Sequence, residues 1–118
     1  MGTFRYGMEV GRSDTGPFEQ VEAVVDTGAT FSQFPRSLLA RLGVSPVEQR
    51  EFTLADSRRI VRDIAIVSVR LEGRTRPTVC VVGEDGGPSL LGAVTLETFG
   101  LAADPVNRRL IQAELYLL

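Results

Sequence analysis

Alternating apolar and polar residues mark the beginning of the chain. Apolar side chains occupy every second position from Phe4 to Val10, which is the period of a half-buried β-strand. The segment GRSDTGP follows and is rich in turn formers, and a second run of period two then ends at Val25. Strand, turn and strand in this order predict a β-hairpin.

Two short segments have helical character instead. In the first, Pro35 suits a helix start and Gly43 suits the position just past a helix end. Three leucines between them give this segment one apolar face: Leu38, Leu39 and Leu42. The second segment, AVTLETFG, predicts a helix that ends at Gly100.

Most of the remaining chain predicts further strands. The strand segments are VEQREFTL, IVRDIAIVSVRL, TRPTVCVVG and RLIQAELYLL, and ADSRR is a turn between the first two. Pro77 indicates an edge or a bend in the third of them, because proline donates no ladder hydrogen bond. We therefore predict a mostly β fold, a small closed or sandwiched sheet with two short helices, as a single domain over residues 1–118.

Composition narrows the possible chemistry. The 118 residues include no histidine and one cysteine, Cys80. Ser-His-Asp and Cys-His catalysis are excluded, as are most transition-metal sites, and no internal disulfide can form. Cys80 lies in TVCVVG and is predicted to be a buried strand residue. We expect no metal and no cofactor, so any catalysis must rest on carboxylates, hydroxyls and backbone groups.

Charge and hydropathy give expectations about partners and location. The net charge is −2 and the arginines are scattered, which favours neither nucleic acid nor an acidic membrane as partner. No apolar run has the length of a membrane span, and no signal peptide is recognisable at the start. We expect a cytoplasmic protein.

The tripeptide Asp-Thr-Gly occurs twice. The first copy begins at Asp14 among turn formers and is predicted to form the tip of the N-terminal hairpin. The second begins at Asp26, directly after the apolar strand VEAVV. A carboxylate at the edge of a core is costly unless it is hydrogen-bonded, and the hydroxyl of Thr27 and the N–H of Gly28 can supply such bonds. Asp26 is therefore the candidate catalytic group.

The segment VVDTGAT resembles the catalytic loop of the retropepsin-like aspartic proteases. That family has a second signature, two hydrophobic residues and a glycine before a short helix, which is matched by LLGAVTLETFG. Between them, FTLADSRRIV occupies the place of the flap, the hairpin that closes over substrate. The resemblance extends from Phe4 to the last strand and is closest to the single-domain bacterial branch.

The resemblance implies a closed retropepsin-like β-barrel with one lobe per chain. It also implies an aspartic endopeptidase that is a homodimer, in which Asp26, Thr27 and Gly28 of both subunits form one catalytic centre acting on a peptide or protein substrate. By the same resemblance, Ala29 and three flap residues would contact substrate: Ala55, Asp56 and Ser57. Asp56 is interpreted as a turn residue rather than a catalyst. The terminal segments TFRYGMEV and RLIQAELYLL would form the dimer contacts.

One departure from the family pattern concerns dimer strength. Retroviral members often pair an arginine after the second signature with an aspartate past the triplet. Here Ala93 and the segment ATFSQ stand in those places, so both partners are missing together. The resemblance then implies a weaker dimer than that of the retroviral proteins.

Two other functions stay open at this stage. The chain could keep the fold as a catalytically weak or silent binding or dimerisation module, because fold alone does not fix function. A small barrel that binds a metabolite is the third reading, but no residue set supports it.

Overall fold

The computed structural model describes residues 2–118. The strands are β1 (Phe4–Gly11), β2 (Phe18–Val25), β3 (Ser32–Pro35), β4 (Glu48–Thr53), β5 (Arg59–Leu71), β6 (Arg74–Gly83), β7 (Leu90–Leu91), β8 (Leu101–Asp104) and β9 (Arg109–Gln112), and the helices are α1 (Arg36–Leu42) and α2 (Ala93–Phe99). The predicted mostly β class with two short helices is confirmed.

The main sheet closes on itself. Its strand order is β1-β2-β7-β3-β6-β5-β4, and β1 also pairs with β5. This second pairing joins Glu9 to Arg70 and Gly11 to Ser68, so the ring returns to its first strand and β4 is attached outside it. The small barrel that the sequence predicts is therefore formed, with β8 and β9 as a separate two-stranded sheet.

The predicted hairpin at the N-terminus has one continuous register. Pairing of β1 with β2 runs from Phe4 opposite Val25 to Gly11 opposite Phe18. Along β1, Phe4, Met8 and Val10 are buried while Arg5, Gly7 and Glu9 are exposed or half-buried, as the period of two requires; Gly11 at the strand end is also buried.

Both helices have the predicted boundaries. α1 begins directly after Pro35 and ends before Gly43, whose φ of 78° places it in the left-handed region. Its three leucines are buried. α2 ends before Gly100 in the same manner, with a φ of 66°. Glycine suits both positions because it adopts positive φ without a Cβ clash.

The last strand is shorter than predicted, and three strands were missed. β9 ends at Gln112 because its partner strand begins at Leu101, the residue opposite. Residues 113–118 lie outside any strand of the described chain, so the prediction of a strand through LYLL is wrong for a single protomer. The missed strands are short: β3 and β8 have four residues each and β7 has two, too few to show a period.

Pro77 lies where the sequence predicted a sheet edge. β6 pairs with β5 from Arg74 to Val81, whereas β3 joins it only from Cys80 to Gly83. Pro77 thus precedes the portion of β6 that is paired on both sides. The core inside the barrel is apolar and fully buried, with Val10, Val25, Phe34, Val67, Val69, Leu71, Leu91 and Phe99 among its members.

Candidate active site

Asp26 directly follows β2 and is held in place by backbone groups. Its N–H donates to the carbonyl of Leu91 at 3.0 Å, which continues the β2–β7 pairing by one residue. Its side chain is half-buried, and Oδ1 accepts a hydrogen bond of 2.9 Å from the N–H of Gly28. The carbonyl of Asp26 accepts from the N–H of Ala29 at 3.1 Å. The triplet is thus a tight turn that fixes one carboxylate oxygen.

The second signature packs directly against this turn. The N–H of Ala93 donates to the carbonyl of Ala29 at 2.8 Å, and Val94 donates to Thr30 at 2.9 Å. The first amides of α2 are therefore satisfied by the loop that follows the triplet, a common requirement at a helix start.

Gly92 is needed there for space. A Cβ on Gly92 would lie 2.6 Å from the carbonyl carbon and oxygen of Phe31 and 2.9 Å from the carbonyl oxygen of Ala29. Its φ of −99° is accessible to every residue, so backbone conformation is not the reason for a glycine. Two backbone segments approach more closely than a side chain allows.

Three buried hydroxyls lie behind the turn and join three elements. Oγ of Ser32 in β3 lies 2.6 Å from Oγ1 of Thr95 in α2, which lies 2.9 Å from Oγ1 of Thr78 in β6. Ser32 also accepts a hydrogen bond of 3.0 Å from the N–H of Gly92. All three side chains are buried, so this satisfied network fixes the two signatures relative to each other. The sequence reasoning missed it, because hydroxyls 63 residues apart in the chain give no local signal.

The β4–β5 hairpin contacts the loop after the triplet. The rings of Phe31 and Phe52 meet edge to face, with centroids 6.2 Å apart at 85°. The guanidinium of Arg50 in β4 lies 5.6 Å from the centroid of the Phe31 ring. Neither phenylalanine was predicted as a site residue, although Phe31 directly follows the segment VVDTGAT and Phe52 is the first residue of FTLADSRRIV.

The predicted substrate residues of this hairpin lie at its exposed tip. Ala55, Asp56 and Ser57 are all exposed, and Ser57 has a φ of 71°. Asp56 accepts hydrogen bonds from the N–H and from Nε of Arg58, at 3.1 and 2.7 Å, which fits its interpretation as a turn residue. Their described hydrogen bonds do not connect them to the triplet. Thr27 is exposed. Ala29 is half-buried, and its backbone forms the hydrogen bonds to Asp26 and Ala93 described above.

The first triplet occupies the β1–β2 turn, as the sequence predicted. Asp14 is exposed, and the N–H of Gly16 donates to the carbonyl of Ser13 at 3.0 Å. Gly16 has a φ of 89°, the conformation for which glycine is suited in a turn. This copy does not bring its carboxylate next to the second signature.

Other reactive groups do not extend the site. Cys80 is fully buried in β6, and burial raises the pKa of its thiol to about 12, with a hydrogen bond to the Ala65 backbone opposing the rise. Such a thiol is not a nucleophile near neutral pH. Within residues 2–118, no three His, Cys, Asp or Glu side chains lie close enough together to hold a metal ion.

A cleft of about 480 Å³ lies between the β4–β5 hairpin and the strands beside the triplet. Its walls include apolar residues of the hairpin, among them Phe52, Leu54 and Ile60. Polar side chains in the walls are those of Gln33 in β3, Arg62 in β5 and Glu84 after β6. None of these residues was predicted from the sequence.

Comparison with known proteins supports an aspartic protease fold. A family model described as aspartyl protease matches residues 14–95, a span that contains both triplets and ends within α2. No curated protein matches the chain. Among solved structures, EIAV protease in complex with the inhibitor HBY-793 is 21% identical, with a TM-score of 0.58, and the match covers 96% of this chain and 93% of that one.

Two bacterial structures are similar as well. A retropepsin-like aspartic protease from Rickettsia conorii is 22% identical with a TM-score of 0.54, and 86% of this chain and 87% of that one are covered. A protein of unknown function from Legionella pneumophila is 15% identical with a TM-score of 0.56, covering 93% of this chain and 95% of that one. At these identities the likeness shows the fold. In the described part of the chain, both helices are far shorter than a membrane crossing requires.

Proposed function

The chain belongs to the aspartyl protease family, and we propose that it is an aspartic endopeptidase that works as a homodimer, with Asp26 of each subunit in one shared catalytic centre. A single domain over residues 1–118, a cytoplasmic location and a peptide or protein substrate are parts of the same proposal. The observation that carries it is the geometry of the second triplet: a half-buried carboxylate fixed by the N–H of Gly28 and adjoining the LLG segment.

The proposed chemistry needs two carboxylates that share one proton. Like charges a few ångströms apart do not both ionise, so one Asp26 is ionised while the other is protonated. The ionised carboxylate takes a proton from a water molecule, whose oxygen attacks the peptide carbonyl carbon. The protonated carboxyl donates a hydrogen bond to the carbonyl oxygen. A proton then passes to the amide nitrogen, the C–N bond breaks, and an acid and an amine leave without a covalent intermediate.

One protomer offers only half of that centre. Within residues 2–118, the hydrogen-bond partners described for Asp26 are backbone groups of Gly28, Ala29 and Leu91, and none is a second carboxylate. A two-fold axis at the triplet supplies the missing group from an identical chain. In this arrangement Thr27, which is exposed in the protomer, lies at the contact between the two loops.

The C-terminal tail supports association with a second copy. Residues 115–118 read LYLL, and all four side chains are exposed, from 74% at Leu115 to complete exposure at Leu118. Consecutive exposed apolar side chains mark an interaction surface. We propose that this tail, which lies outside any strand of the protomer, pairs with the partner subunit.

The remaining site residues take the roles that the family resemblance implies. The β4–β5 hairpin would act as the flap, with Ala55, Asp56 and Ser57 at the tip that closes over substrate. Ala29 would form the floor beside the scissile bond. The contact between Phe31 and Phe52 supports these roles, because it connects the hairpin to the loop that carries Asp26.

The alternative is a silent binding or dimerisation module with the same fold. One solved structure with a similar fold, from Legionella pneumophila, has an unknown function, and a fold by itself does not fix a function. The tail would serve a scaffold equally well. The two proposals differ in whether peptide cleavage accompanies dimer formation.

A dilution series tests the proposal, with sedimentation and peptide cleavage measured on the same samples. Specific activity should fall as the dimer dissociates, because neither subunit has a complete centre. The missing arginine–aspartate pair suggests a dimer with a micromolar dissociation constant, which corresponds to a free energy of association of about −8 kcal/mol. Deletion of residues 115–118 should move both curves to higher concentration.

Val106→Ser is the matched control, since Val106 is 87% exposed but lies in the turn between β8 and β9. It should leave both curves in place. Full specific activity in a species that sediments as a monomer would contradict the shared centre. A protein that forms the dimer but cleaves no peptide of a library, and whose dimer formation does not change when pepstatin is added, would favour the silent module.

A further inference from the structure

The cleft below the β4–β5 hairpin lies on the same face of the sheet as Asp26. Directly paired residues project to the same side of a sheet, and alternate residues of one strand do so as well. Val24 pairs with Leu90, Leu90 pairs with Gln33, and Gln33 pairs with Val81. Asp26 continues the alternation of Val24, so this line of pairs leads from the triplet into the cleft.

The same line continues into the hairpin. Val81 pairs with Ile64 in β5, and alternation along β5 gives Arg62 and Ile60 the same face. Ile60 in turn pairs with Phe52 of β4. The burial of Ile64 and Val81 supports the view that this face of the sheet differs from the face that lines the core. Both residues are buried, yet neither belongs to the main core cluster. The cleft is therefore a lateral extension of the surface that carries the triplet, and its volume of about 480 Å³ suits one or two substrate side chains.

Arg62 is the cation of this cleft, and its acidic partner is weakly held. Its Nη1 donates to the carbonyl of Val61 at 3.1 Å, and its side chain is 34% exposed. Its Nη2 lies 3.4 Å from Oε1 of Glu84, whose side chain is 83% exposed. An exposed ion pair of this length contributes little, because water and salt screen it. The guanidinium is thus fixed at the wall while Glu84 is free to turn into solvent.

The neighbouring charges already have partners. Arg36 lies 3.2 Å from Asp63, and Asp63 also accepts a hydrogen bond from Gln49 at 3.3 Å. These groups line the adjoining smaller cleft of about 220 Å³, which shares Arg62 and Glu84 with the larger one. Arg62 is therefore the cation placed to exchange its partner for a group that enters the cleft.

We propose that this cleft selects substrates with an acidic side chain, glutamate above all, whose carboxylate replaces Glu84 on Arg62 while its methylene groups contact Phe52, Leu54 and Ile60. The proposal rests on the proposed peptidase function. Arginine forms its strongest hydrogen bonds with carboxylates, and a half-buried, preorganised guanidinium gains more from such a bond than an exposed one. Arg62 is thereby a specificity-determining residue, separate from the catalytic Asp26.

The test uses peptide sets that differ only by Glu, Gln or Lys, with the varied residue placed at each position on both sides of the scissile bond. At one position the wild-type dimer should cleave the Glu peptide with a kcat/KM at least about tenfold above that of the Gln peptide, as expected for one charge-assisted hydrogen bond. Arg62→Gln should bring this ratio to about one, and Arg62→Glu should make Lys the preferred residue. Glu84→Gln should increase the preference for Glu, because it removes the competing carboxylate.

Arg76→Gln is the matched control. Arg76 is an exposed arginine whose Nη1, like that of Arg62, donates to the carbonyl of the preceding residue, at 2.8 Å, but it does not line the cleft. It should leave the Glu-to-Gln ratio unchanged. Cleavage with a ratio that does not respond to Arg62→Gln overturns the specificity proposal and leaves the peptidase intact.

Absence of cleavage for every peptide overturns the proposed function instead. In that case the same Glu, Gln and Lys peptides are measured for binding, by fluorescence anisotropy, to the wild type and to Arg62→Gln. A Glu preference that disappears in Arg62→Gln supports the cleft as an acidic-peptide site. Equal binding of the three peptides to the wild type overturns it.

Discussion

The two Asp-Thr-Gly copies have identical sequences and different surroundings. At Asp14 the triplet forms a turn between antiparallel strands, and its glycine supplies a φ of 89°. At Asp26 the triplet follows a strand whose neighbour on the other side is the parallel β7, and its glycine donates its N–H to the carboxylate at 2.9 Å. The first glycine allows a positive φ in the turn, whereas the second donates a hydrogen bond to the aspartate. The same three residues therefore have different structural roles in the two places.

The difference comes from what lies beside each turn. The second triplet is backed by the Leu91 carbonyl, by the first amides of α2 and by the buried hydroxyls of Ser32, Thr95 and Thr78. The first has its hydrogen bonds within the turn, as in the 3.0 Å bond from Oγ of Ser13 to the carbonyl of Gly16. A rigid support from distant parts of the chain is what makes a carboxylate usable for catalysis.

The largest effect is expected from exchanging each aspartate for asparagine. Asp26→Asn should lower kcat by roughly 10²–10⁴-fold, the usual contribution of general acid–base catalysis, because an amide neither accepts nor shares the proton. Asp14→Asn should stay within about twofold of the wild type, since its carboxylate is at an exposed turn. Both variants are assayed on one peptide, with circular dichroism to verify folding. If Asp14→Asn is the inactive variant, the assignment of the two triplets is reversed.

The pH dependence of cleavage should belong to the second triplet alone. Activity requires one ionised and one protonated Asp26, so the rate should have a bell shape with its optimum on the acid side of neutral. It should fall by about tenfold per pH unit on each limb, at low pH because both groups are protonated and at high pH because both are ionised. The profile of Asp14→Asn should coincide with that of the wild type. A rate that keeps rising into alkali would exclude the mechanism.

Exchanging each glycine for alanine should separate activity from stability. A Cβ on Gly28 would lie 3.2 Å from Oδ1 of Asp26, so Gly28→Ala should displace the carboxylate and lower kcat by about tenfold or more. Gly16→Ala forces alanine into the left-handed region, 3.0 Å from the Phe18 ring, and should lower the free energy of unfolding by about 1–2 kcal/mol with kcat retained. Urea unfolding and initial rates measure the two effects. Equal losses of activity in both variants would remove the distinction between the triplets.

The smallest expected effect is on the stability of the fold in acid, and it comes from Glu19, near the start of β2 and close to the first triplet. Hydrogen bonds from Arg41 lower the pKa of Glu19 below its usual value of 4.5. A lowered native-state pKa means that this contribution to stability is present above pH 4.5 and is lost as the pH falls through the native-state pKa. Glu19→Gln should therefore lower Tm slightly near neutral pH, and the difference should vanish in stronger acid. Since Glu19 is on β2 away from the triplet at Asp26, the pH optimum of cleavage should not move; a shifted optimum would show that the two ends of the strand are coupled.

Much of the fold could be predicted from local signals. The alternation from Phe4 to Val10 gave β1, and the leucines between Pro35 and Gly43 gave α1, because strand and helix periods are properties of neighbouring residues. Short strands escaped prediction. β3 has four residues and exists because it pairs with β6 and β7, which are distant in the chain.

The candidate site divides in the same way. Asp26 and Gly28 could be singled out from the sequence because a carboxylate at the end of an apolar strand is unusual, and the LLG segment could be singled out because it resembles the second signature of the retropepsin-like proteases. The cleft could not, because Arg62 and Gln33 share a face only through the registers of β5 with β6 and of β6 with β3. The contact between Phe31 and Phe52 likewise depends on where the hairpin folds.

The sequence by itself determined the strands and helices with clear periods and the absence of histidine chemistry, and it favoured the second of the two triplets as the catalytic one. Only the tertiary structure decided that β1 closes the ring on β5, that Gly92 is required by the backbone of Phe31, and that the last strand ends at Gln112. The physical reason is that periodicity and turn preference act over a few residues, whereas closure, register and close backbone approach depend on pairs of segments that the chain brings together from far apart.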